Sequence, residues 1–310
     1  KEINMFEGLF HKSITDILPE VRGKYLKHVP LSKHTWFGVG GPAEVMYIPA
    51  DIQDLSHFLL NRPHNLPLSV IGGGSNLLVR DGGIPGVVIK LDSPYFKQVK
   101  INDGSITCFA GLSNIELKKI FLSNNIGGLE FLCSIPGRIG GSIKTNAGCF
   151  GKSVGDVLIS ADIIDDAGEV KTVYPTDLKL SYRNSLFPDD WIIISITLKT
   201  EQSSAEQINK ILNEQREYRL KNQPYNEKTA GSTFKNPEGL RAWELIKKSG
   251  CADLRVGGAK VSEKHCNFLI NTGKATAADI ENLGNMIVEK VKQKTSITLE
   301  WEVKKMGIGK

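Results

Sequence analysis

Three separated polar stretches contain the side chains best suited to chemistry. Arg183 follows a tyrosine, Ser232 lies in an Ala-Gly-Ser-Thr stretch, and Glu302 lies near the C-terminus. A guanidinium binds anions, a hydroxyl can donate a proton and a carboxylate orients neighbouring charge, so the three could serve one reacting centre. Each also has an ordinary structural explanation, as a turn arginine, a capping serine or an exposed strand glutamate.

Two of these residues have rivals of similar chemistry close by. Thr233 could donate a proton in place of Ser232, and Lys235 could stabilise the alkoxide that either would leave. Strand alternation places Glu300 and Glu302 on the same polar face, so the pattern cannot choose between the two glutamates.

Two glycine clusters precede these residues, at 72–77 and 134–142, and Asn146-Ala147-Gly148 follows the second. Successive glycines expose consecutive backbone amides, which can surround a diphosphate, although a flexible hairpin turn explains the first cluster equally well. A glycine group at 38–43 has dinucleotide-fingerprint spacing but lacks a preceding apolar strand, so it does not favour a Rossmann fold. Together these features indicate a reductase with a bound dinucleotide.

Composition limits the class of protein. The 310 residues are 40% hydrophobic and 24% charged, which indicates two or three globular domains. A net charge of +5, spread along the chain, fits an anionic small ligand and predicts no nucleic-acid partner. Five cysteines without paired spacing predict reduced thiols and no metal site. No membrane-spanning run or signal peptide is evident, so we expect a cytoplasmic protein with no membrane partner.

Hydrophobic periodicity indicates a mixed α+β chain. Strands are predicted at residues 68–71, 86–91, 106–110, 157–164, 170–174, 191–200 and 297–304. Capping boxes at Ser113 with Glu116, at Ser203 with Glu206 and at Thr276 with Asp279 each predict a helix start. Another helix is predicted around residues 242–246, ending at Gly250.

The motifs resemble those of the UDP-N-acetylenolpyruvoylglucosamine reductases, also called UDP-N-acetylmuramate dehydrogenases. The matching stretches run in order along nearly the whole chain, at residues 34–43, 72–77, 135–148, 181–183, 230–237, 257–259 and 267–268. The resemblance implies an α+β fold with a vanillyl-alcohol-oxidase-type (PCMH-type) FAD-binding domain of two subdomains, residues 1–95 and 96–202. A C-terminal α+β substrate-binding domain, residues 203–310, would follow.

The same resemblance implies a reaction. FAD would be bound noncovalently, NADPH would reduce it, and the enolpyruvyl ether of UDP-N-acetylglucosamine would be reduced to UDP-N-acetylmuramate. This is a cytoplasmic step of peptidoglycan synthesis, and the enzyme would act as a monomer on a small-molecule nucleotide sugar.

Site residues follow from the matched motifs. Arg183 would bind the substrate carboxylate, Ser232 would deliver the proton, and Glu302 would share a proton with the carboxylate or orient Arg183. The FAD-binding residues would be Gly72, Gly73, Gly74, Ser75, Asn76, Leu77, Pro136, Gly137, Gly140, Gly141, Ser142, Asn146 and Gly148. The substrate-binding residues would be Tyr182, Lys235, Asn236 and Lys304.

Short spacing between Arg183 and Ser232 places the chain with the compact second type of the family. Lys144-Thr145 stands where an aromatic or aliphatic pair is usual, and Lys304 stands where arginine is commoner. The lysine at 304 keeps the charge but lacks the bidentate fork of arginine. Two rivals remain: an FAD-dependent oxidase of the same fold, and a nonenzymatic sensor of nucleotide sugars.

Overall fold

The computed structural model describes residues 14–310, and its first sheet lies in the N-terminal third of the chain. Four strands pair in the order β1-β2-β5-β3, with β2, β5 and β3 parallel and β1 antiparallel at the edge. The elements are β1 (Lys24–Pro30), β2 (Pro42–Ile48), α1 (Ile52–Asn61), β3 (Leu68–Val70), β4 (Leu77–Val79) and β5 (Ile84–Ile89). The first glycine cluster connects β3 to β4.

The middle of the chain forms an antiparallel sheet. Its five strands run in the order β12-β11-β13-β7-β6. This region also contains the two-stranded sheets β10-β9 and β14-β8. Its nine strands are β6 (Val99–Asn102), β7 (Ser105–Phe109), β8 (Ile126–Gly127), β9 (Gly148–Cys149), β10 (Lys152–Ser153), β11 (Leu158–Ile164), β12 (Val170–Val173), β13 (Ile192–Lys199) and β14 (Glu201–Gln202). The helices are α2 (Leu117–Asn124), α3 (Glu130–Cys133), α4 (Ile139–Lys144) and α5 (Pro175–Leu178). Helix α4 therefore contains the end of the second glycine cluster.

The last hundred residues combine helices with a small sheet of order β15-β16-β17. The elements are α6 (Ala205–Asn222), α7 (Ala242–Lys248), β15 (Arg255–Val256), β16 (Ala259–Val261), β17 (Leu269–Asn271), α8 (Ala277–Thr295) and β18 (Lys304–Met306). Strand β18 leaves this region and pairs in parallel with β4. Among residues 14–310, no helix has the length and apolarity that crossing a bilayer requires.

Most predicted elements are confirmed, and two are corrected. The capping boxes of Ser113 and Thr276 are present, with a single 3-10 turn preceding α2. Helix α6, however, begins one residue later than predicted: Ser204 caps it by accepting from the Gln207 amide. Two adjacent serines offer the same hydroxyl, so the pattern alone could not separate them.

The second correction concerns the final segment. Residues 297–304 do not form one continuous strand; Trp301 makes a single bridge to Phe234, and the regular strand begins only at Lys304. The predicted alternation survives, because Leu299 and Val303 are buried in the C-terminal core. Glu302 is an exception to the expected exposed face, since it is enclosed by the middle of the chain.

The C-terminal region is joined to the first sheet by a shared core and a helix cap. Both carboxylate oxygens of Asp81 accept from the first two amides of α8, at 2.9 Å from Ala277 and 3.0 Å from Ala278. The guanidinium of Arg80 forms a bidentate ion pair with Glu281 on the same helix, at 2.9 Å for each contact. A residue distant in sequence thus satisfies the helix N-terminus.

Replacing Asp81 with alanine should therefore destabilise the protein. The Asp81→Ala change leaves two amides without their acceptor and should lower the free energy of unfolding by about 1 to 2 kcal/mol, as for other lost caps. Urea denaturation measures the change, and Glu214→Ala, an exposed acid on α6, is the matched control. Equal stability of the two variants would contradict the capping role.

Candidate active site

An extended segment carries Ser232 between two other chain segments. The amide of Thr233 donates to the carbonyl of Asn267 at 2.7 Å, while the carbonyl of Thr233 accepts from the amide of Glu302 at 2.8 Å. The buried Asn267 side chain also bonds both backbone groups of Phe234, at 3.0 and 2.8 Å. These bonds fix the Ser232 backbone next to that of Glu302.

Arg183 and Glu302 form a direct ion pair. The Nε of Arg183 donates to Oε1 of Glu302 at 2.8 Å, and its Nη2 donates to the carbonyl of Gly148 at 2.7 Å. Both side chains are mostly enclosed, with 23% and 19% exposed. Burial raises the pKa of Glu302 above its ordinary value, although the positive charges of Arg183 and Lys235 oppose the shift.

The two glutamates that alternation could not separate have different surroundings. Glu300 is 72% exposed and forms an ion pair with Lys235 at 2.5 Å, whereas the enclosed Glu302 contacts Arg183.

The hydroxyls of Ser232 and Thr233, the two candidate proton donors, also differ in their surroundings. Thr233 is fully buried and its Oγ1 has no partner, while Ser232 is half-buried and its hydroxyl makes no hydrogen bond within residues 14–310.

Three other predicted substrate residues each have a contact of their own, and only Tyr182 contacts the ion pair itself. The ring of Tyr182 lies 5.1 Å from the Arg183 guanidinium, and Tyr182 is more than half exposed. The Asn236 side chain accepts from the amide of Ala242 at 3.0 Å and so caps α7. The backbone amide of Lys304 donates to the carbonyl of Asn76 at 3.0 Å, and its side chain is exposed.

The two glycine clusters contact each other. The hydroxyl of Ser75 donates to the carbonyl of Pro136 at 2.8 Å, and a Cβ added at Gly73 would lie 3.0 Å from Cα of Gly137. Within residues 14–310, no protein acceptor pairs with the five amides from Gly72 to Asn76. A run of free amides is a cradle for an anion.

A charged cluster beside these loops was missed by sequence analysis. Asp92 accepts from Arg138 at 2.8 Å and from Lys97 at 2.7 Å, and Lys90 lies 3.8 Å away. Burial by itself would raise the pKa of Asp92, yet these cations hold it below its ordinary value. Three cations around one carboxylate leave local positive charge, which favours an anionic ligand; spacing along the chain gives no signal of this convergence.

His34 belongs to the same surroundings. Its Nδ1 lies 2.8 Å from the ammonium of Lys90, so the ring accepts this hydrogen bond. Burial lowers the pKa of His34, and the charge of Lys90 lowers it further. Both effects favour the neutral ring, which can accept this hydrogen bond.

Family models match two parts of the chain. An FAD binding domain matches residues 43–174, and the C-terminal domain of UDP-N-acetylenolpyruvoylglucosamine reductase matches residues 223–306. A UDP-N-acetylenolpyruvoylglucosamine reductase from Paramagnetospirillum magneticum is 45% identical over 94% of this chain and 95% of its own length. The chain belongs to the UDP-N-acetylenolpyruvoylglucosamine reductase family.

Further relatives agree with this membership. The reductase of this name from Rickettsia rickettsii is 43% identical over 94% of this chain and 98% of its own. The crystal structure of UDP-N-acetylenolpyruvylglucosamine reductase from Thermus caldophilus superposes with a TM-score of 0.78 at 32% identity. The superposition covers 93% of this chain and 100% of the Thermus caldophilus chain. The expected α+β fold with an FAD-binding domain is thereby confirmed.

The residues present fit FAD. The free amides of residues 72–76 suit its diphosphate, and the neighbouring cations add a favourable field. Buried Asn114 donates to Ser142 and to the carbonyl of Ile135, yet its own Oδ1 has no partner among residues 14–310. A Cβ at Gly141 would meet no atom within 4 Å, so open space adjoins α4.

Of the predicted cofactor residues, Asn146 and Gly148 have other contacts. The Asn146 side chain donates to the carbonyl of Ser181 at 2.9 Å and accepts from the amide of Gly155 at 2.8 Å. The carbonyl of Gly148 accepts from Arg183. Both residues therefore also hold the segment that carries Arg183.

Substituting Gly141 with alanine should separate cofactor affinity from stability. A helical Gly→Ala change into open space should stabilise the apoprotein by roughly 0.5 to 1 kcal/mol. If the flavin fills that space, overpacking by about 1 to 3 kcal/mol should weaken FAD binding by roughly fivefold or more. Fluorescence titration of apoprotein with FAD measures the affinity, with Gly309→Ala, also in open space, as control. Unchanged affinity would mean that the methyl group points into solvent.

Proposed function

We propose that Arg183, Ser232 and Glu302 carry out the reduction of the enolpyruvyl ether of UDP-N-acetylglucosamine to UDP-N-acetylmuramate, with NADPH as reductant. The chain is an FAD-dependent oxidoreductase of peptidoglycan synthesis, because it belongs to this reductase family and contains the FAD-binding domain. The observation that supports these residue roles best is the enclosed Arg183–Glu302 ion pair beside the Ser232 segment.

The reaction places distinct demands on the protein. FAD, held by the glycine clusters at residues 72–77 and 134–142, would supply hydride to the terminal carbon of the vinyl ether. Negative charge then accumulates on the substrate carboxylate, and the adjacent carbon must receive a proton. The protein must therefore bind a carboxylate and supply an acid.

Arg183 meets the first demand. A guanidinium has five N–H donors, and two of them are used, by Glu302 and by Gly148. Three N–H groups of Arg183 remain for the substrate carboxylate. The hydrogen bonds to Glu302 and Gly148 prevent the guanidinium from rotating. Glu302 in its ionised form is thus the residue that orients Arg183 and keeps its charge partly compensated until substrate arrives.

Ser232 meets the second demand. Its hydroxyl makes no protein hydrogen bond within the described residues, so it is available to a ligand, and its backbone is fixed next to Glu302. The buried position of Thr233 argues against the rival donor. Tyr182 lies against Arg183, and Lys235 pairs with the neighbouring Glu300. Together with Asn236 and Lys304, these residues would contact the rest of the nucleotide sugar.

An oxidase of the same fold is not favoured, because the relatives that match most of the chain are named as reductases. The domain boundaries at residues 95 and 202 stay predictions, as do the cytoplasmic location and the monomeric state. They do not affect the chemistry proposed for the site.

Replacing Ser232 with alanine should separate the two half-reactions. Flavin reduction by NADPH should stay within about twofold of wild type, because that step needs no proton from the serine. Reoxidation by the enolpyruvyl nucleotide should slow by roughly 10² to 10⁴, the usual contribution of a general acid. Stopped-flow absorbance of the flavin measures both rates. Thr233→Val is the matched control and should reoxidise normally; equal losses in both half-reactions of Ser232→Ala would contradict the role.

The raised pKa of Glu302 predicts a pH dependence. Only the ionised carboxylate orients Arg183, so reoxidation should slow as the pH falls through a pKa above the ordinary value of 4.5. Glu302→Gln should react more slowly than wild type above that pKa, where the wild-type carboxylate is ionised, and should lack this acid limb. The effect is measured as the rate of flavin reoxidation at a series of pH values between about 5 and 9, where the protein is expected to stay folded. Persistence of the acid limb in the glutamine variant would assign it to another group.

A further inference from the structure

The loop that carries Arg183 is held by the end of helix α4 and the residues after it. Ser181 and Asn184 exchange backbone hydrogen bonds of 3.0 and 3.1 Å, which form a tight turn with Tyr182 and Arg183 at its tip. Arg183 has a φ of +52°, a left-handed conformation that a non-glycine residue adopts at a cost. Such a turn needs external contacts to persist.

Lys144, the last residue of α4, supplies several of these contacts. Its ammonium donates to the carbonyls of Phe187 and Pro188, at 3.1 and 3.2 Å, and lies 3.7 Å from the carboxylate of Asp189. The backbone carbonyl of Lys144 accepts from the hydroxyl of Ser185 at 2.6 Å. On the other side of Arg183, Asn146 holds the carbonyl of Ser181.

The ammonium of Lys144 is partly enclosed by the loop that it contacts. Burial lowers its pKa, Asp189 opposes the shift, and the positive charge of Lys304 lowers it further. Its hydrogen bonds to the carbonyls of Phe187 and Pro188 keep the loop beside α4.

We infer that Lys144 is a positioning residue for Arg183: it fixes the loop of residues 181–189 against the helix that ends the second glycine cluster. The inference rests on the role proposed for Arg183. Lys144 acts through the loop, so its loss should displace the guanidinium and leave the flavin site intact. Misplacement of a group by about 1 Å can reduce a rate by up to roughly 10².

The kinetic test compares Lys144→Met with Lys144→Arg in the FAD-loaded enzyme. The methionine variant should reoxidise with the enolpyruvyl nucleotide about ten- to a hundredfold more slowly at saturating substrate, and NADPH should still reduce it normally. Arginine can donate to the same carbonyls and should restore most of the rate. Lys199→Met, at the exposed end of β13, is the matched control. Loss no greater than in the control, or equal loss in both half-reactions, overturns the inference.

A double-mutant cycle tests whether Lys144 acts through Arg183. In an Arg183→Ala background, Lys144→Met should change the reoxidation rate by less than about twofold, because the group that it positions is gone. Independent action would instead give losses that multiply. If the rate losses of the two substitutions multiply in the double variant, the inference is overturned, even if Lys144→Met alone is slow.

Hydrogen exchange provides a measurement that needs no substrate. The amides of Ser181 and Asn184 should exchange at least about fivefold faster in Lys144→Met and at the wild-type rate in Lys144→Arg and Lys199→Met. Unchanged exchange in Lys144→Met overturns the inference. If the nucleotide does not reoxidise the reduced flavin of the wild-type enzyme, the proposed function is wrong. The hydrogen-exchange result would still decide whether Lys144 holds the loop.

Discussion

The ion pair between Arg183 and Glu302 is the contact on which the candidate site depends. Its partners lie 119 positions apart and come from a loop of the middle region and from the C-terminal segment. An enclosed charge without a partner is costly, so each residue is stable in place only when the other is there. Much of the surrounding hydrogen bonding serves to keep these two side chains together.

Two sets of contacts meet at this ion pair. On the Glu302 side, the segment that carries Ser232 and the side chain of Asn76 bind the backbone of residue 302. On the Arg183 side, Gly148 and the residues that end α4 hold the loop. Because Asn76 and α4 belong to the two glycine clusters, the ion pair and the glycine loops share one framework.

Features that depend on neighbouring residues could be predicted from the sequence. The capping box at Thr276 and the hairpin of β11 and β12 are local patterns, and the structure contains both. The residues of the candidate site came from motif resemblance, not from periodicity. The enclosure of Glu302, the convergence on Asp92 and the cap that Asp81 gives to α8 join distant segments, and no local pattern encodes such meetings.

Strand β18 has a consequence for how the protein is made. Its partner β4 and the neighbouring Asn76 are synthesised early, whereas Glu302, which Asn76 contacts, follows 226 positions later. While the nascent chain is still on the ribosome, β4 lacks this partner and Arg183 lacks its counter-ion. The ion pair of Arg183 and Glu302 can therefore form only after translation has passed residue 302, so an interrupted polypeptide would have both glycine loops but an incomplete candidate site.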